Sequence, residues 1–162
     1  MHPTISQLPS KVFYDGRLRD GPEMDVKTRQ PWHNDPKFGV YKFYSVVQGR
    51  EESTRVGHSL VNREEIKAVL ALYDRIKNQY HDVDFDYRIG IVSMYRAQVQ
   101  EFRIAFRSKY GRDINGKIDF NTVDGFQGQE KDIIILSCVR AGTTLNSIGF
   151  LAGNILSLDE LI

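Results

Sequence analysis

Apolar side chains recur at spacings of three and four between residues 62 and 80, so that in a helix they would form one stripe. Asn62 precedes this stripe, and Glu64 and Glu65 place two acids near the free N–H groups of a helix start. The pattern predicts a helix from about Asn62 to Tyr80. The stripe consists of Ile66, Val69, Leu70, Tyr73, Ile76 and Tyr80.

Further along the chain, short apolar runs alternate with a second helical pattern. Val99, Phe102 and Phe106 have helical spacing and Gly111 follows them, which predicts a helix that ends near this glycine. Apolar runs predict strands at residues 41–47, 88–93, 118–123 and 133–136. The last run is continuous, as is typical of a strand covered on both faces in a parallel sheet. This order of elements predicts a three-layer α/β domain.

The first forty residues lack the regular hydrophobic pattern of the rest of the chain. Prolines and two Asp-Gly pairs interrupt any regular period, so we expect an arm rather than a part of the sheet. Phe13, Tyr14 and Trp32 are large enough to anchor this arm on the surface of the domain.

Composition limits the functions that the chain can have. Its 162 residues include 22 basic and 21 acidic side chains, a formal net charge of +1. Bulk charge therefore does not draw the chain to nucleic acid or membrane, and any site for a polyanion must be local. The single cysteine cannot form an internal disulfide. Since neither a membrane-length apolar run nor a leader pattern occurs, we expect an intracellular protein.

The densest polar stretch, TVDGFQGQE, occupies residues 122–130 between two predicted strands. Loops at the carboxyl ends of parallel strands are where α/β proteins bind ligands. Gly125 and Gly128 would let a phosphate approach the backbone. Thr122 adds a hydroxyl donor, and Glu130 offers two oxygens for the hydroxyls of a ribose. The alternative is a plain polar connection whose glycines serve only for turning.

A second polar stretch, SMYRAQ at residues 93–98, also follows a predicted strand. Ser93 is predicted to cap the next helix, whose free N–H groups attract phosphate. Arg96 and Gln98 would then be polar groups of the first turn. The alternative is that Arg96 is merely solvated and that Tyr95 packs against the arm.

The sequence excludes several other kinds of site. The four histidines and the cysteine lack the close spacing of a zinc site. Acids at positions 82, 84 and 86 resemble a calcium loop, but Tyr87 replaces its turn glycine and Ser93 its bidentate glutamate. No metal site is predicted. The absence of a G-x-x-x-x-G-K-[ST] loop means that the chain alone cannot cradle a nucleoside triphosphate in the P-loop manner.

Three ordered blocks resemble the second RecA-type lobe of superfamily 1B RNA/DNA helicases, in the group containing senataxin and the nonsense-mediated-decay helicase. They are MHPTISQLPSKVFYDGRL at 1–18, IGIVSMYRAQ at 89–98 and TVDGFQGQEKDIIILSCVRA at 122–141. The resemblance implies a RecA-like P-loop NTPase fold with a mostly parallel sheet. It also implies ATP in a cleft between two lobes and single-stranded nucleic acid across the top. We expect an arm at 1–40, a lobe at 41–151 and an unrelated tail at 152–162.

The resemblance implies two sets of site residues, and no catalytic residue within this chain. The set that faces the nucleotide is Glu130, which would hold the ribose, with Gln127, Gly128 and Arg140. The set that faces the nucleic-acid strand is Thr122, Asp124, Ser93, Tyr95, Arg96 and Gln98. We expect Thr122 and Glu130 to project from one rim of the sheet toward these two ligands.

Departures from the family pattern also affect the activity that we expect of this chain. Met94 replaces a proline, and two arginines that stabilise charge on the transferred phosphoryl group in the family are missing. We therefore expect a chain that is inactive alone and that binds ATP with Mg²⁺ only together with a first RecA lobe. The expected partners are that lobe and single-stranded RNA or DNA, in the nucleus or alternatively in the cytoplasm. A non-enzymatic nucleic-acid or protein interaction module is the alternative function.

Overall fold

The computed structural model describes residues 1–54 and 59–141. The predicted tail at 152–162 lies outside these residues. The chain divides into two compact units, the first from Met1 to Ser45 and the second beginning at Val46. The first unit contains three short elements, which are α1 (Pro3–Phe13), α2 (Met24–Lys27) and a 3₁₀ turn (Pro31–Asn34).

The helix α1 was not predicted, because its prolines were interpreted as interruptions. Pro3 stands at the start of the helix, where its missing N–H group has no partner to lose and its fixed φ suits the first turn. His2 caps the helix, since its Nδ1 accepts a hydrogen bond from Thr4 N at 3.2 Å. A proline near a helix start therefore favours the helix that it was taken to exclude.

The strand predicted at residues 41–47 is not formed, and the segment has irregular backbone with exposed aromatic side chains. The preference of aromatic and β-branched residues for strands depends on packing against a neighbouring strand. No such neighbour pairs with this segment among the described residues. Of the three aromatic anchors expected in the first forty residues, Trp32 is buried, whereas Phe13 and Tyr14 are exposed.

The second unit contains the predicted alternation of strands and helices. Its elements are β1 (Glu52–Ser53), β2 (Leu60–Val61), α3 (Arg63–Gln79), β3 (Ile89–Ser93), α4 (Arg96–Tyr110), α5 (Ile114–Lys117), β4 (Asp119–Thr122) and β5 (Ile133–Ser137). The strands β1 and β2 form a small antiparallel pair. The three longer strands form a parallel sheet in the order β4-β3-β5, which confirms three of the predicted strands.

The helices α3 and α4 confirm both helices predicted in this unit. Asn62 caps α3 as predicted, since its side-chain oxygen accepts a hydrogen bond from Glu65 N at 3.2 Å. The core lies between α4 and one face of the sheet, where Phe106 is fully buried. The ring centroid of Phe106 lies 5.1 Å from that of Phe120 on β4 and 5.4 Å from that of Tyr73 on α3.

The opposite face of the sheet is only partly covered by the described residues. A 3₁₀ turn at Asp124–Phe126 places the Phe126 ring so close to Gly90 that a Cβ there would lie 2.8 Å from the ring. Beyond this turn, Ile134 and Leu136 of β5 are 53% and 52% exposed. The prediction that β5 is covered on both faces is therefore wrong for the described part of the chain.

The observed class is nevertheless the predicted one. A parallel sheet flanked by helices is an α/β architecture, and it is consistent with a RecA-like P-loop fold. Within residues 1–54 and 59–141, no helix is long and apolar enough to cross a membrane.

Candidate functional site

The three parallel strands end side by side at one edge of the sheet, called here the carboxyl edge. Ser93 at the end of β3 lies opposite both Thr122 of β4 and Ser137 of β5. The two polar stretches predicted as sites therefore begin at a common edge. In open α/β sheets, ligands bind at this edge.

Thr122 begins a tight turn. Its Oγ1 accepts a hydrogen bond from Gly125 N at 3.2 Å, and Asn121 Nδ2 donates to Gly125 O at 2.8 Å. A Cβ at position 125 would lie 2.3 Å from Asn121 Oδ1, so the turn requires glycine there. Because Gly125 N is bonded within the turn, it does not offer the free donor expected for a phosphate. The hydroxyl of Thr122 accepts in this bond and keeps its own proton for donation.

Asp124, Gln127 and Gly128 are exposed on the connection that follows this turn. Gly128 has a φ of +79°, and no atom lies within 4 Å of the position that a Cβ would occupy. The positive φ favours glycine, and the open space leaves the backbone accessible. Of the two glycines in this stretch, Gly128 is therefore the one with open space beside its backbone.

Glu130 is exposed, but it does not share a rim with Thr122. Its neighbour Lys131 donates from Nζ to Tyr87 O at 2.8 Å, just before the start of β3. Ile133 pairs with Ile89 at that same amino end of the sheet. Since the strands are parallel, the connection from Thr122 must run back along the sheet by about 13 Å before β5 begins. The predicted common rim for Thr122 and Glu130 is therefore wrong.

Ser93 and Gln98 are completely buried. Ser93 Oγ donates to Ser137 O at 2.9 Å. The N-cap of α4 is Tyr95, so the prediction that Ser93 caps this helix is wrong. Gln98 Nε2 donates to Ser137 Oγ at 3.0 Å and to Asn62 O at 3.1 Å. A nucleic-acid strand cannot reach either side chain in this structure, so they hold the edge together rather than contact a ligand.

Tyr95 and Arg96 lie at the start of α4. Tyr95 is half-buried and its side chain makes no capping hydrogen bond to the helix, while Arg96 is exposed. Ala97 N is bonded to Ser59 Oγ at 3.1 Å, so one N–H group of the first turn is already satisfied. Arg96 is thus the cation of this stretch that a polyanion can reach.

A buried polar network links α3 to the carboxyl edge, and sequence reasoning did not assign it to the site. Glu65 Oε2 accepts hydrogen bonds from Ser137 Oγ at 2.5 Å and from Val139 N at 3.1 Å. Asn62 Nδ2 donates to Val139 O at 3.0 Å. Asn62 and Glu65 were recognisable only as the cap and first-turn acid of a helix, since their partners lie 72 to 77 positions later.

The thiol of Cys138 lies beside this network. Burial of the sulfur, together with the nearby Glu65 carboxylate, raises the pKa of Cys138, although part of the residue is exposed. The thiol is therefore protonated near neutral pH and is a poor nucleophile. In the part of the chain that the structure describes, no group of three or more histidine, cysteine, aspartate or glutamate side chains could hold a metal ion.

Arg140 also lies just beyond the carboxyl edge. Its Nε is 3.2 Å from Glu51 Oε2, with the side chain 17% exposed. This Nε is buried and makes no aligned hydrogen bond to any residue that the structure describes, so the attraction between the two groups is mainly electrostatic. The same oxygen of Glu51 accepts a hydrogen bond from Ala141 N at 3.1 Å. Arg140 and Glu130, both predicted to face the nucleotide, are thus placed toward opposite ends of β5.

Comparison with known proteins adds to this geometry. A family model described as an AAA domain matches residues 1–154. The chain is 48% identical over 152 residues to Helicase SEN1 of Saccharomyces cerevisiae, a match that covers 93% of this chain and 7% of that protein. It is 35% identical over 153 residues to Probable helicase senataxin of Homo sapiens, which covers 94% of this chain and 5% of that protein.

A third relative is ATP-dependent helicase NAM7 of Saccharomyces cerevisiae, 33% identical over 158 residues that cover 93% of this chain and 15% of that protein. The chain thus spans only a small part of the length of each of these relatives. The family match, in contrast, extends over almost all of the chain. The chain therefore belongs to the AAA domain family, and over nearly its whole length it is similar to a part of these helicases.

Proposed function

We propose that this chain is the second RecA-like lobe of an ATP-dependent RNA/DNA helicase of superfamily 1B. In this role it couples ATP binding and hydrolysis to movement along single-stranded nucleic acid and to unwinding. The observation that carries the proposal is the 48% identity to Helicase SEN1 over 93% of the chain. The parallel sheet, with two polar stretches starting at its carboxyl edge, supports it.

The nucleic-acid strand would bind at the carboxyl edge. Thr122 supplies a hydroxyl donor for a phosphate oxygen, and Arg96 supplies an exposed positive charge at the start of α4. Asp124 is exposed beside them, and Tyr95 offers a half-buried ring for contact with a base or sugar. Because the chain has a net charge of only +1, strand affinity would depend on these local groups and be weak and salt-sensitive.

The nucleotide would contact the connection between β4 and β5. The exposed carboxylate of Glu130 accepts from two ribose hydroxyls, while Gln127 and the open backbone at Gly128 provide further polar groups. Arg140 lies toward the other end of β5 from Glu130, so in this proposal its positive charge would face the phosphates rather than the ribose. When bound with ATP, Mg²⁺ neutralises charge on the phosphates. A first RecA lobe would provide the phosphate loop and the ligands of this ion, so the 162 residues alone would not turn over ATP.

A chimera tests the nucleotide assignment. In it, this chain replaces the matching 152-residue segment of Helicase SEN1 from Saccharomyces cerevisiae. Glu130→Ala is expected to weaken ATP binding about tenfold, because a charged hydrogen-bonding group is worth roughly 1.5 kcal/mol or more. Affinity for a single-stranded oligonucleotide should change less than twofold, and Gln129→Ala, at the exposed neighbouring position, should change neither. Equal losses of nucleotide and strand binding in Glu130→Ala would contradict the assignment.

A further inference from the structure

The chain leaves β5 through a strained turn. Val139 has a φ of +69°, a region that β-branched residues rarely adopt, and its side chain is fully buried. A hydrogen bond of 2.8 Å from Arg140 N to Cys138 O closes a three-residue γ-turn centred on Val139. A turn of this kind persists only where the surrounding contacts hold it.

The first turn of α3 and its cap supply these contacts. Glu65 Oε2 accepts from Val139 N at 3.1 Å, and Asn62 Nδ2 donates to Val139 O at 3.0 Å. A carboxylate makes the stronger type of hydrogen bond, so Glu65 is the main restraint on the strained residue. The same oxygen accepts from Ser137 Oγ at 2.5 Å, which ties the restraint to the end of β5.

This turn sets the direction in which Arg140 leaves the strand. Its Nε lies 3.2 Å from Glu51 Oε2 without an aligned hydrogen bond. A phosphate group can accept two parallel hydrogen bonds from one guanidinium, which is a better match than this contact. A phosphate that reached this guanidinium would therefore be a better-matched partner than Glu51, provided that the backbone at Val139 keeps Arg140 in place.

We infer that Glu65 is a positioning residue, which acts through the strained turn at Val139 to fix Arg140 for contact with a phosphate of the bound nucleotide. The inference rests on the proposed function, which places Arg140 toward that nucleotide. Without the carboxylate of Glu65, the turn relaxes to a negative φ and carries Arg140 away. The effect of Glu65 on ATP hydrolysis is therefore indirect and depends on Val139 and Arg140.

ATP hydrolysis by the SEN1 chimera tests this inference. Glu65→Ala and Arg140→Ala are each expected to lower kcat about tenfold or more, since a displacement of about 1 Å can cost up to a hundredfold. Glu64→Ala is the matched control. Glu64 belongs to the same turn of α3, but its Oε1 points away from the network and accepts from the surface residue Lys67 at 2.7 Å. This control should stay within about twofold of the unmodified chimera.

The Val139→Gly substitution distinguishes positioning of Arg140 by Glu65 from a merely structural role of Glu65. Glycine adopts a positive φ without strain, so the turn no longer needs the carboxylate to hold it. In the V139G background, Glu65→Ala should therefore lower kcat by no more than about threefold. Such rescue is expected only if Glu65 acts by holding the turn.

The outcomes separate this inference from the proposed function. A loss in Arg140→Ala without one in Glu65→Ala would overturn the positioning role and leave the function standing. A loss in Glu65→Ala that the V139G background does not reduce would also overturn it, by showing that Glu65 acts elsewhere. An unchanged kcat in Arg140→Ala, or a chimera with no hydrolysis at all, would contradict the proposed function itself.

Discussion

Asn62 and Gln98 join the starts of α3 and α4 through a reciprocal pair of hydrogen bonds. Asn62 N donates to Gln98 Oε1 at 2.9 Å, and Gln98 Nε2 donates to Asn62 O at 3.1 Å. Both residues are at most 1% exposed. The pair therefore fixes two helix starts at the carboxyl edge without using any group that a ligand could reach.

Gln98→Leu is expected to lower the free energy of unfolding by about 1–3 kcal/mol. The change leaves the buried N–H group of Asn62 without its partner, whereas Asn62 O still accepts from Ile66 N at 3.3 Å. One unsatisfied buried group costs about 1–3 kcal/mol. Gln100→Leu is the matched control at an exposed position of α4, and it should change stability by less than about 0.5 kcal/mol. Urea unfolding of the chain, followed by circular dichroism, measures both; similar values would show that Gln98 is not a structural bridge.

The two glycines of the connection should respond differently to alanine. Gly125→Ala is expected to cost about 2 kcal/mol, because the added Cβ would lie 2.3 Å from Asn121 Oδ1 and break the turn. Gly128→Ala meets open space and should cost only about 1 kcal/mol for its positive φ. The free energy of unfolding checks these values. Combining Gly125→Ala with Asn121→Ala should remove most of the added cost, and strictly additive losses would argue against the close contact.

The reactivity of the single cysteine reports on Glu65. Burial and the Glu65 carboxylate raise the pKa of Cys138, so at pH 8.5 only a small fraction of the thiol is ionised. Glu65→Gln removes the charge, which lowers this pKa and should speed alkylation by iodoacetamide about twofold at that pH. Glu64→Gln serves as the control and should leave the rate unchanged. A slower reaction in Glu65→Gln would show that this carboxylate does not act on the thiol.

Two small substitutions at Thr122 should have different effects on the binding of a nucleic-acid strand. In the SEN1 chimera, Thr122→Val is expected to weaken binding of a labelled single-stranded RNA about three- to tenfold, the usual effect of one lost hydrogen bond. Thr122→Ser keeps the hydroxyl and should stay within about twofold. Fluorescence anisotropy at two salt concentrations measures both variants. Equal affinities for the valine and serine variants would mean that the hydroxyl does not contact the strand.

Local patterns were sufficient to predict the three parallel strands and the two long helices of the second unit. The apolar stripe of α3, the cap at Asn62 and the buried run of β3 each depend on neighbours within a few positions, and all were confirmed. The segment at 41–47 and the outer face of β5 were not predicted correctly. In both, the outcome depends on whether another element covers the strand, which side-chain propensity does not encode.

The site was harder to predict than the fold. Thr122 was correctly assigned to the carboxyl edge because it ends a strand, whereas Glu130 was misplaced, since the path of the connection back along the sheet is not visible in residue types. The polar character of Gln98 suggested a ligand contact, but its partners are buried backbone and side-chain groups, Asn62 among them. The contacts of Glu65 with β5 span more than seventy residues and could be seen only in three dimensions.

The most direct test of the account is steady-state ATP hydrolysis by the SEN1 chimera, measured with and without single-stranded RNA, beside the 162-residue chain alone. If the chain is the second lobe of a helicase, the chimera hydrolyses ATP, the RNA stimulates the rate, and the chain alone shows no turnover above background. Turnover by the chain alone, or a chimera whose hydrolysis does not respond to the RNA, would contradict the account.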